Sequence, residues 1–298
     1  MALYAFDGTW NQDNPDKVTE KDTNVVWFRD AYQGTVCYRK GVGTRFGVAG
    51  KVIGGINGAG GRSRVREALD VLSRNFDAGD ALIDVVGFSR GAALALHFAN
   101  QIYRSGVKGH RAPGETPIRF LGLWDTVPSF GVPGSKANIG WLLDLPDNVA
   151  KCFHALALDE RRQTFRLHRL EARVDDANQE GRLFELWFRG VHSDIGGGNN
   201  NPGLSSIALN WMFERARACG LDLDPAVIAR NRLRMDPERP ISPGPKYDLI
   251  EDPFRVVRWN DRVHASVGAR NGRNAHNHPP VGVARIDDAG HEVGRFNA

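Results

Sequence analysis

The chain has 298 residues and a formal net charge of +4, and 41% of its residues are hydrophobic. This composition is typical of a folded globular protein and excludes a disordered or collagen-like chain. No apolar run approaches the ~18 residues that a transmembrane helix needs, and the first residues lack the basic and apolar regions of a secretory signal. We therefore expect a cytoplasmic protein, whose export would need a signal-independent route.

The distribution of charges and cysteines excludes two further classes. The 39 Lys and Arg residues are spread along the chain instead of forming a cluster, so we expect no nucleic-acid partner. Cys37, Cys152 and Cys219 are far apart and form no CxxC pair, which argues against a zinc site or a disulfide framework. The sequence predicts neither a cofactor nor a structural metal.

Short apolar runs alternate with amphipathic segments along the chain. In chain order, we predict strand 3–6, helix 25–32, strand 34–39, helix 63–76, strand 81–86, helix 91–103, strands 119–124 and 183–188, and helix 205–219. Such alternation predicts an α/β fold of the α/β-hydrolase type, a mainly parallel sheet with helices on both faces.

We expect residues 1–298 to form a single catalytic domain. The glycine-rich stretch 41–61 matches no phosphate-binding motif, so we interpret it as a loop at the rim of a pocket. Residues 131–150 contain an apolar cluster that fits a lid or insert and equally a packed turn. Residues 271–298 are polar and predict a loosely packed C-terminal tail or a late hairpin.

The strongest local motif is GFSRG at residues 87–91, which lies between a predicted strand and a predicted helix. In this context G-x-S-x-G forms a sharp turn that exposes the serine hydroxyl above the sheet, and the flanking glycines let strand and helix approach closely. The helix N-terminus also points at the place where an oxyanion would develop. The pattern predicts Ser89 as a nucleophile.

A nucleophilic serine needs a base, and the base needs an acid that orients it. Asp125 directly follows strand 119–124 and is the candidate acid. His192 follows strand 183–188 and precedes a glycine-rich turn, so it is the first candidate base. His264 is the alternative base, and we expect His154 to be structural because it opens an apparent helix.

An oxyanion hole normally uses the amide after the nucleophile and a second amide from another loop. Here these are Arg90 and the loop of Gly8 and Thr9, with a plain Asp-Gly turn as the alternative explanation of that loop. Asp7 would fix the loop through hydrogen bonds or pair with Arg90. Asp194 is a further candidate for a supporting residue near His192.

Several phrases together resemble one family. They are FDGTWN (6–11), TNV (23–25), GVGT (41–44), GFSRGA (87–92), WDTV (124–127), HALALDER (154–161) and GVHSDIGGG (190–198). The sequence is similar to the bacterial and fungal α/β-hydrolase family long catalogued as a domain of unknown function, which includes phospholipase effectors delivered by bacterial type VI secretion. The secreted effectors of this kind are longer and carry an added membrane-anchoring module, which we do not expect in this sequence.

The resemblance implies a Ser–Asp–His hydrolase of ester bonds, with phospholipids as a leading substrate class. Carried onto this sequence, the triad is Ser89, Asp125 and His192. The partners implied are an ester or lipid substrate, transient contact with a membrane surface and, for an effector, a cognate immunity or delivery partner.

Three alternatives remain open from the sequence. A small-molecule carboxylesterase would use the same triad. A metal-dependent phosphohydrolase would use Asp7, His192 and Asp194 as oxygen and nitrogen ligands, but it leaves the GFSRG turn unexplained. A binding or immunity-type protein on a degenerate hydrolase scaffold is the third, since a fold does not determine a function.

Overall fold

The computed structural model describes residues 1–8, 19, 21–41, 58–128, 140–170, 181–243, 253–269 and 277–297. The strands among them form one nine-stranded sheet in the order β2-β1-β3-β4-β5-β6-β7-β8-β9. Their bounds are β1 Ala2–Phe6, β2 Thr35–Arg39, β3 Ile83–Phe88, β4 Phe120–Trp124, β5 Cys152–Ala157, β6 Leu183–Phe188, β7 Arg262–His264, β8 Ala284–Ile286 and β9 Glu292–Arg295. Neighbouring strands are parallel from β2 through β8, and β9 pairs antiparallel with β8.

Helices cover both faces of the sheet. Their bounds are α1 Asn24–Ala31, α2 Gly58–Asp77, α3 Arg90–Ser105, α4 His192–Gly196, α5 Pro202–Ala218 and α6 Pro225–Arg232. Buried side chains of α2 and α3 form one apolar core, and those of α1, α5 and α6 form another on the opposite face. The predicted α/β-hydrolase-like fold, a mainly parallel sheet with helices on both faces, is confirmed.

The first strand shows how the sequence produces this layering. Alternate side chains of a strand point to opposite faces of a sheet. In β1, Ala2, Tyr4 and Phe6 enter the core beneath α2 and α3, whereas Leu3 and Ala5 enter the other core. Because both faces are covered, every residue of β1 is buried, and the strand is a continuous apolar run without polar alternation.

One sequence prediction is wrong: His154 does not open a helix but lies in the middle of strand β5. A short, continuous apolar run has neither the helical nor the strand period, so this pattern alone cannot separate a buried strand from a buried helix. The predicted strand 81–86 is also displaced by two residues. The observed β3 extends to Phe88 and therefore ends directly before Ser89.

Some predictions fall partly outside the described residues, which include neither 42–57 nor 129–139 nor 271–276. Of the apolar cluster near 141–145, Trp141, Leu143 and Leu145 are buried in the core beside α3. The possible lid at residues 131–150 stays a prediction. The described end of the chain carries β8 and β9. Within the described residues, none of the helices combines the length and apolar character that crossing a bilayer requires.

Candidate active site

Ser89 lies in the sharp turn between β3 and α3. Its backbone has φ 59° and ψ −124°, a conformation that non-glycine residues rarely adopt. The neighbouring glycines make the turn possible, because a Cβ on Gly91 would lie 2.1 Å from the carbonyl oxygen of Phe6. A Cβ on Gly87 would lie 2.6 Å from the carbonyl oxygen of Gly91. The sequence GFSRG therefore forms the strained strand-to-helix turn that its pattern predicts.

Asp125 follows the neighbouring strand, and the register of β3 with β4 brings it close to the serine turn. Phe88 pairs with Trp124, and the Ser89 amide donates to the Trp124 carbonyl oxygen at 3.0 Å. Asp125 is completely buried and has a positive φ of 42°. The amide of Ala157 donates to its Oδ1 at 2.9 Å, which leaves Oδ2 to face the next loop of the sheet edge.

His192 is the first residue of α4, which begins four residues after β6 ends. Its Nδ1 lies 2.6 Å from Asp125 Oδ2, and its backbone amide donates to Glu160 Oε2 at 3.0 Å. The imidazole packs against two phenyl rings, with centroid distances of 4.6 Å to Phe88 and 4.7 Å to Phe165. Since Phe88 directly precedes Ser89, this packing holds the imidazole beside the serine turn.

The electrostatics of the pair favour an ionised acid and a neutral base. Burial opposes ionisation of Asp125, but the charge of Arg255 and the hydrogen bond from His192 outweigh it and hold the pKa of Asp125 well below its usual range. Burial lowers the pKa of His192, although the hydrogen bond and charge of Asp125 act in the opposite direction. An ionised carboxylate can accept hydrogen bonds but not donate them. Nδ1 of His192 therefore carries the proton, and Nε2 keeps the lone pair that a general base needs.

His264, the alternative base, lies elsewhere in the sheet. It ends β7 and stacks on Phe188 with a centroid distance of 4.8 Å. Its Nδ1 accepts from the amide of Ser266 at 3.2 Å and lies 2.8 Å from the Ser266 hydroxyl, while its Nε2 lies 3.2 Å from Asp288. In a serine triad the acid binds Nδ1 and the serine faces Nε2, so this arrangement is reversed.

His154 is buried in β5 and has both ring nitrogens occupied. Nδ1 lies 2.9 Å from Glu185 Oε1, and Nε2 accepts from the amide of Thr126 at 3.2 Å. Burial opposes ionisation of Glu185, but His154 and Arg169 lower its pKa to about 2. These contacts fix the backbone directly after Asp125, which agrees with the structural role that the sequence predicts.

Of the three candidate oxyanion-hole residues, Arg90 and Gly8 are among the described residues and Thr9 is not. Arg90 begins α3, so its amide is one of the first-turn donors that a helix leaves without an intrahelical acceptor. Burial lowers the pKa of the Arg90 side chain to about 10. The Gly8 amide already donates to Asp7 Oδ1 at 2.7 Å. Thr9 lies outside the described residues.

Asp7 and Asp194 hold their loops through hydrogen bonds. Asp7 accepts from the hydroxyls of Thr23 at 2.7 Å and Tyr38 at 2.5 Å. Asp194 accepts from both the amide (3.0 Å) and the hydroxyl (2.6 Å) of Ser242. His192, the third ligand of the metal site considered from the sequence, is hydrogen-bonded to Asp125. The structure therefore does not bring Asp7, His192 and Asp194 together as one set of metal ligands. Where the chain is described, no group of three or more His, Cys, Asp or Glu side chains is arranged to hold a metal ion.

The structure adds two residues to which the sequence motifs assign no role. Arg255 donates to both carboxylate oxygens of Asp125, through Nη1 to Oδ1 at 2.6 Å and through Nη2 to Oδ2 at 3.1 Å. Glu160 accepts from the His192 amide and pairs with Arg162. Arg255 belongs to no motif and is 130 positions from Asp125, whereas Glu160 lies in the phrase HALALDER (154–161), whose pattern does not indicate its contact with His192.

A groove of about 290 Å³ lies beside the Asp125–His192 pair. Phe165 and Arg255 line it and touch His192 and Asp125, respectively. The lining is mostly arginine and apolar side chains: Glu160, Arg161, Arg162, Phe165, Arg166, Leu167, Arg169, Trp187, Pro253, Arg255 and Val256. A larger cleft of about 480 Å³ is lined by residues between Arg217 and Arg232 and contains none of the candidate site residues.

One known family matches most of the chain. The sequence model for the type VI secretion system phospholipase effector Tle1-like catalytic domain matches residues 3–113 and 108–215. The chain belongs to this family. The match contains Ser89, Asp125 and His192, and the family resemblance drawn from the sequence motifs is confirmed. Arg255 lies beyond the matched residues.

Two solved structures are similar to this chain. One is the crystal structure of an uncharacterized protein from Pseudomonas aeruginosa, with a TM-score of 0.56 and 23% identity over 80% of this chain and 49% of that chain. The other is the Tle1 effector bound to the VgrG spike from the type 6 secretion system, with a TM-score of 0.48 and 25% identity over 68% of this chain and 51% of that chain. The chain thus spans about half the length of each. No curated protein matches it.

Proposed function

We propose that this chain is a serine hydrolase that cleaves carboxylic ester bonds of lipids through Ser89, His192 and Asp125. The observation that carries the proposal is the 2.6 Å contact between His192 Nδ1 and Asp125 Oδ2 beside the strained Ser89 turn. Membership of a phospholipase effector family supports a lipid substrate.

The chemistry follows from the protonation states. Nε2 of His192 takes the proton of the Ser89 hydroxyl as Oγ attacks the acyl carbonyl, and the ionised Asp125 stabilises the imidazolium that forms. The Arg90 amide, in the first turn of α3, stabilises the oxyanion. The imidazolium then protonates the departing alkoxide, and a water molecule activated by His192 releases the acyl group from Ser89.

The surface beside the groove supports a lipid rather than a small polar ester. Val256 lines the groove and is 75% exposed, and Trp259, three residues further along, is 82% exposed. Arg258 and Arg262 are also exposed on this segment. Tryptophan favours the headgroup level of a membrane, and arginine is attracted to anionic lipid. We therefore propose transient contact of this segment with a lipid surface.

Labelling with a fluorophosphonate tests the chemistry. The wild-type protein should be labelled covalently and should hydrolyse phospholipid vesicles, and Ser89→Ala should lose both properties while keeping its fold. Ser266→Ala, which removes the serine beside the alternative histidine, is the matched control and should keep both. Turnover retained by Ser89→Ala would refute the proposal. Activity on short p-nitrophenyl esters without activity on vesicles would instead indicate a small-molecule carboxylesterase.

Partners beyond the substrate follow from the family alone. The family description names an effector of the type VI secretion system, and the similar Tle1 effector is described as bound to the VgrG spike. A delivery partner and an immunity partner for this chain stay predictions. Co-purification with the components of a secretion system would test the first of them.

A further inference from the structure

Arg255 and Asp125 form a two-point ion pair at the carboxyl edge of the sheet. The Arg255 side chain is 10% exposed, and that of Asp125 is completely buried. A guanidinium is planar and always charged, so donation to both oxygens fixes the plane of a carboxylate as well as its position. A lysine could not do this, because its ammonium group acts as a single point of charge.

The contacts of Asp125 show what this pair orients. Oδ1 accepts from the Ala157 amide and from Nη1 of Arg255, and Oδ2 accepts from His192 and from Nη2 of Arg255. Each oxygen therefore has two donors. Without Arg255 each would keep one, so the direction in which Oδ2 faces Nδ1 of His192 would be restrained less tightly.

The same guanidinium also donates hydrogen bonds to two backbone carbonyl oxygens near His192. Nη1 donates to the carbonyl oxygen of Ala157 at 2.9 Å, and Nη2 donates to that of Phe165 at 2.8 Å. Ala157 ends β5, and the Phe165 ring packs against His192. Arg255 thus connects the acid to both the loop after β5 and the phenyl ring that holds the base.

We propose that Arg255 is a positioning residue, which holds the Asp125 carboxylate in the plane and rotamer that direct Oδ2 at His192. In this role it acts through the acid and not on the reacting atoms. This inference rests on the proposed hydrolase function. It also extends the functional unit beyond residues 3–215, the part that the family model matches.

The orientation of Asp125 also acts on the pKa of His192, which gives the inference a measurable sign. The charged groups that act on His192 are Asp125 after β4 and Glu160 and Arg162 after β5, and Arg255, beyond α6, contacts Asp125. If Oδ2 turns away from His192 when Arg255 is removed, the hydrogen bond and the charge of Asp125, which raise the pKa of His192, act on it less, and this pKa falls. Loss of the Arg255 charge with Asp125 still in place would instead raise the pKa of His192.

The chain offers a matched control for the loss of such a pair. Arg119 donates to both oxygens of the buried Asp84, through Nε at 3.0 Å and Nη2 at 2.6 Å. Asp84 lies near the start of β3, five residues before Ser89, which is on the order of 17 Å along the strand. Arg119→Met therefore breaks the same kind of ion pair at the opposite edge of the sheet.

The experiment compares Arg255→Met, Arg255→Lys and Arg119→Met with the wild type in the pH dependence of kcat/KM on a soluble ester. For Arg255→Met we expect kcat to fall at least about tenfold and the midpoint of the acidic limb to fall by about one pH unit. Arg255→Lys should also lose activity and shift the midpoint in the same direction, because the charge remains and the two-point contact does not. Arg119→Met should change thermal stability and leave the midpoint in place.

A readout without turnover separates this inference from the proposed function. The imidazole signals of His192, assigned by their loss in His192→Gln, can be titrated by NMR in the folded wild type and in Arg255→Met. A lowered His192 pKa in the variant supports the inference even if the protein hydrolyses no ester, whereas a raised pKa means that Asp125 keeps its position without Arg255 and overturns it. An unchanged midpoint and an unchanged NMR titration, in a folded Arg255→Met protein with normal kcat, would overturn it while leaving the proposed function intact.

Discussion

Ser89 and Asp125 are the two non-glycine residues with positive φ in the described part of the chain, and they follow the adjacent strands β3 and β4. Backbone conformations of this kind cost on the order of 1–3 kcal/mol each and persist where the surrounding structure enforces them. Here two hydrogen bonds connect the turns, because the Ser89 amide donates to Trp124 and the Val127 amide donates to Ser89. The backbone strain is therefore located at one edge of the sheet, where the proposed nucleophile and acid lie close together.

The first prediction concerns the close approach of α3 to β1 at this edge, where Gly91 lies against Phe6. Gly91→Ala places a Cβ 2.1 Å from a backbone oxygen of Phe6, a contact that no side-chain movement can relieve. We expect a loss of stability of about 3 kcal/mol or more together with loss of fluorophosphonate labelling, measured by chemical denaturation and gel fluorescence. Gly79→Ala is the control for a substituted glycine, since its added Cβ would have nothing within 4 Å and its positive φ accounts for any smaller loss.

The second prediction separates the two candidate bases. His192→Gln should lower kcat/KM by about 10²–10⁴-fold, because the proton acceptor for Ser89 is lost. His264→Gln should stay within about twofold of the wild type, since its ring is bonded to Ser266 and Asp288. The measurement is hydrolysis of a soluble ester by purified variants with matched circular dichroism spectra. A large loss in His264→Gln with normal activity in His192→Gln would reverse the assignment.

The proposed nucleophile and the fold could be predicted from the sequence because their signals are local. GFSRG needs its glycines within the turn itself, and each predicted strand or helix is marked by its own apolar run or apolar period. The same locality explains the error at β5. His154 interrupts a buried apolar run whose partners are other strands, and only the pairing of β5 with β4 and β6 makes it a strand.

Arg255 shows what the sequence could not supply. Its partner is 130 positions away, and it reaches Asp125 because the segment after residue 252 returns to the same edge of the sheet. The choice between His192 and His264 has the same origin. Both histidines follow or end strands near Phe188, and their different hydrogen-bond partners distinguish them. Long-range contacts of single polar side chains leave no period or spacing in a sequence.

The third prediction concerns pH. His192 must be neutral to accept a proton, and burial lowers its pKa below the usual value of about 6.5. Activity should therefore be fully present above that pKa and be lost as the pH falls through it, so the acidic midpoint of kcat/KM lies below pH 6.5. In Asp125→Asn the charge that raises the pKa is gone, so the midpoint should move still lower. Its kcat should fall by up to about 10⁴-fold, since the amide no longer selects the correct tautomer.

The fourth prediction tests contact with a lipid surface through Trp259. Its side chain is 82% exposed, and Val256, three residues before it, is 75% exposed and lines the groove beside His192, so we expect a bilayer that contacts this segment to face the groove. Trp259→Ser should weaken binding to vesicles that contain anionic lipid by about tenfold, because burial of a tryptophan in the interface is lost. Hydrolysis of a soluble ester should be unchanged, since Trp259 makes no contact with the triad in the described structure.

Leu233 is the matched control for this prediction. It is 89% exposed, like Trp259, but it follows α6, which packs against α1 and α5 rather than against the groove. Leu233→Ser should therefore leave vesicle binding within about twofold of the wild type. Added salt should weaken binding of the wild type, because Arg258 and Arg262 contribute through their charge. Equal losses in both variants would mean that general surface hydrophobicity, and not the segment next to the proposed active site, holds the protein at the membrane.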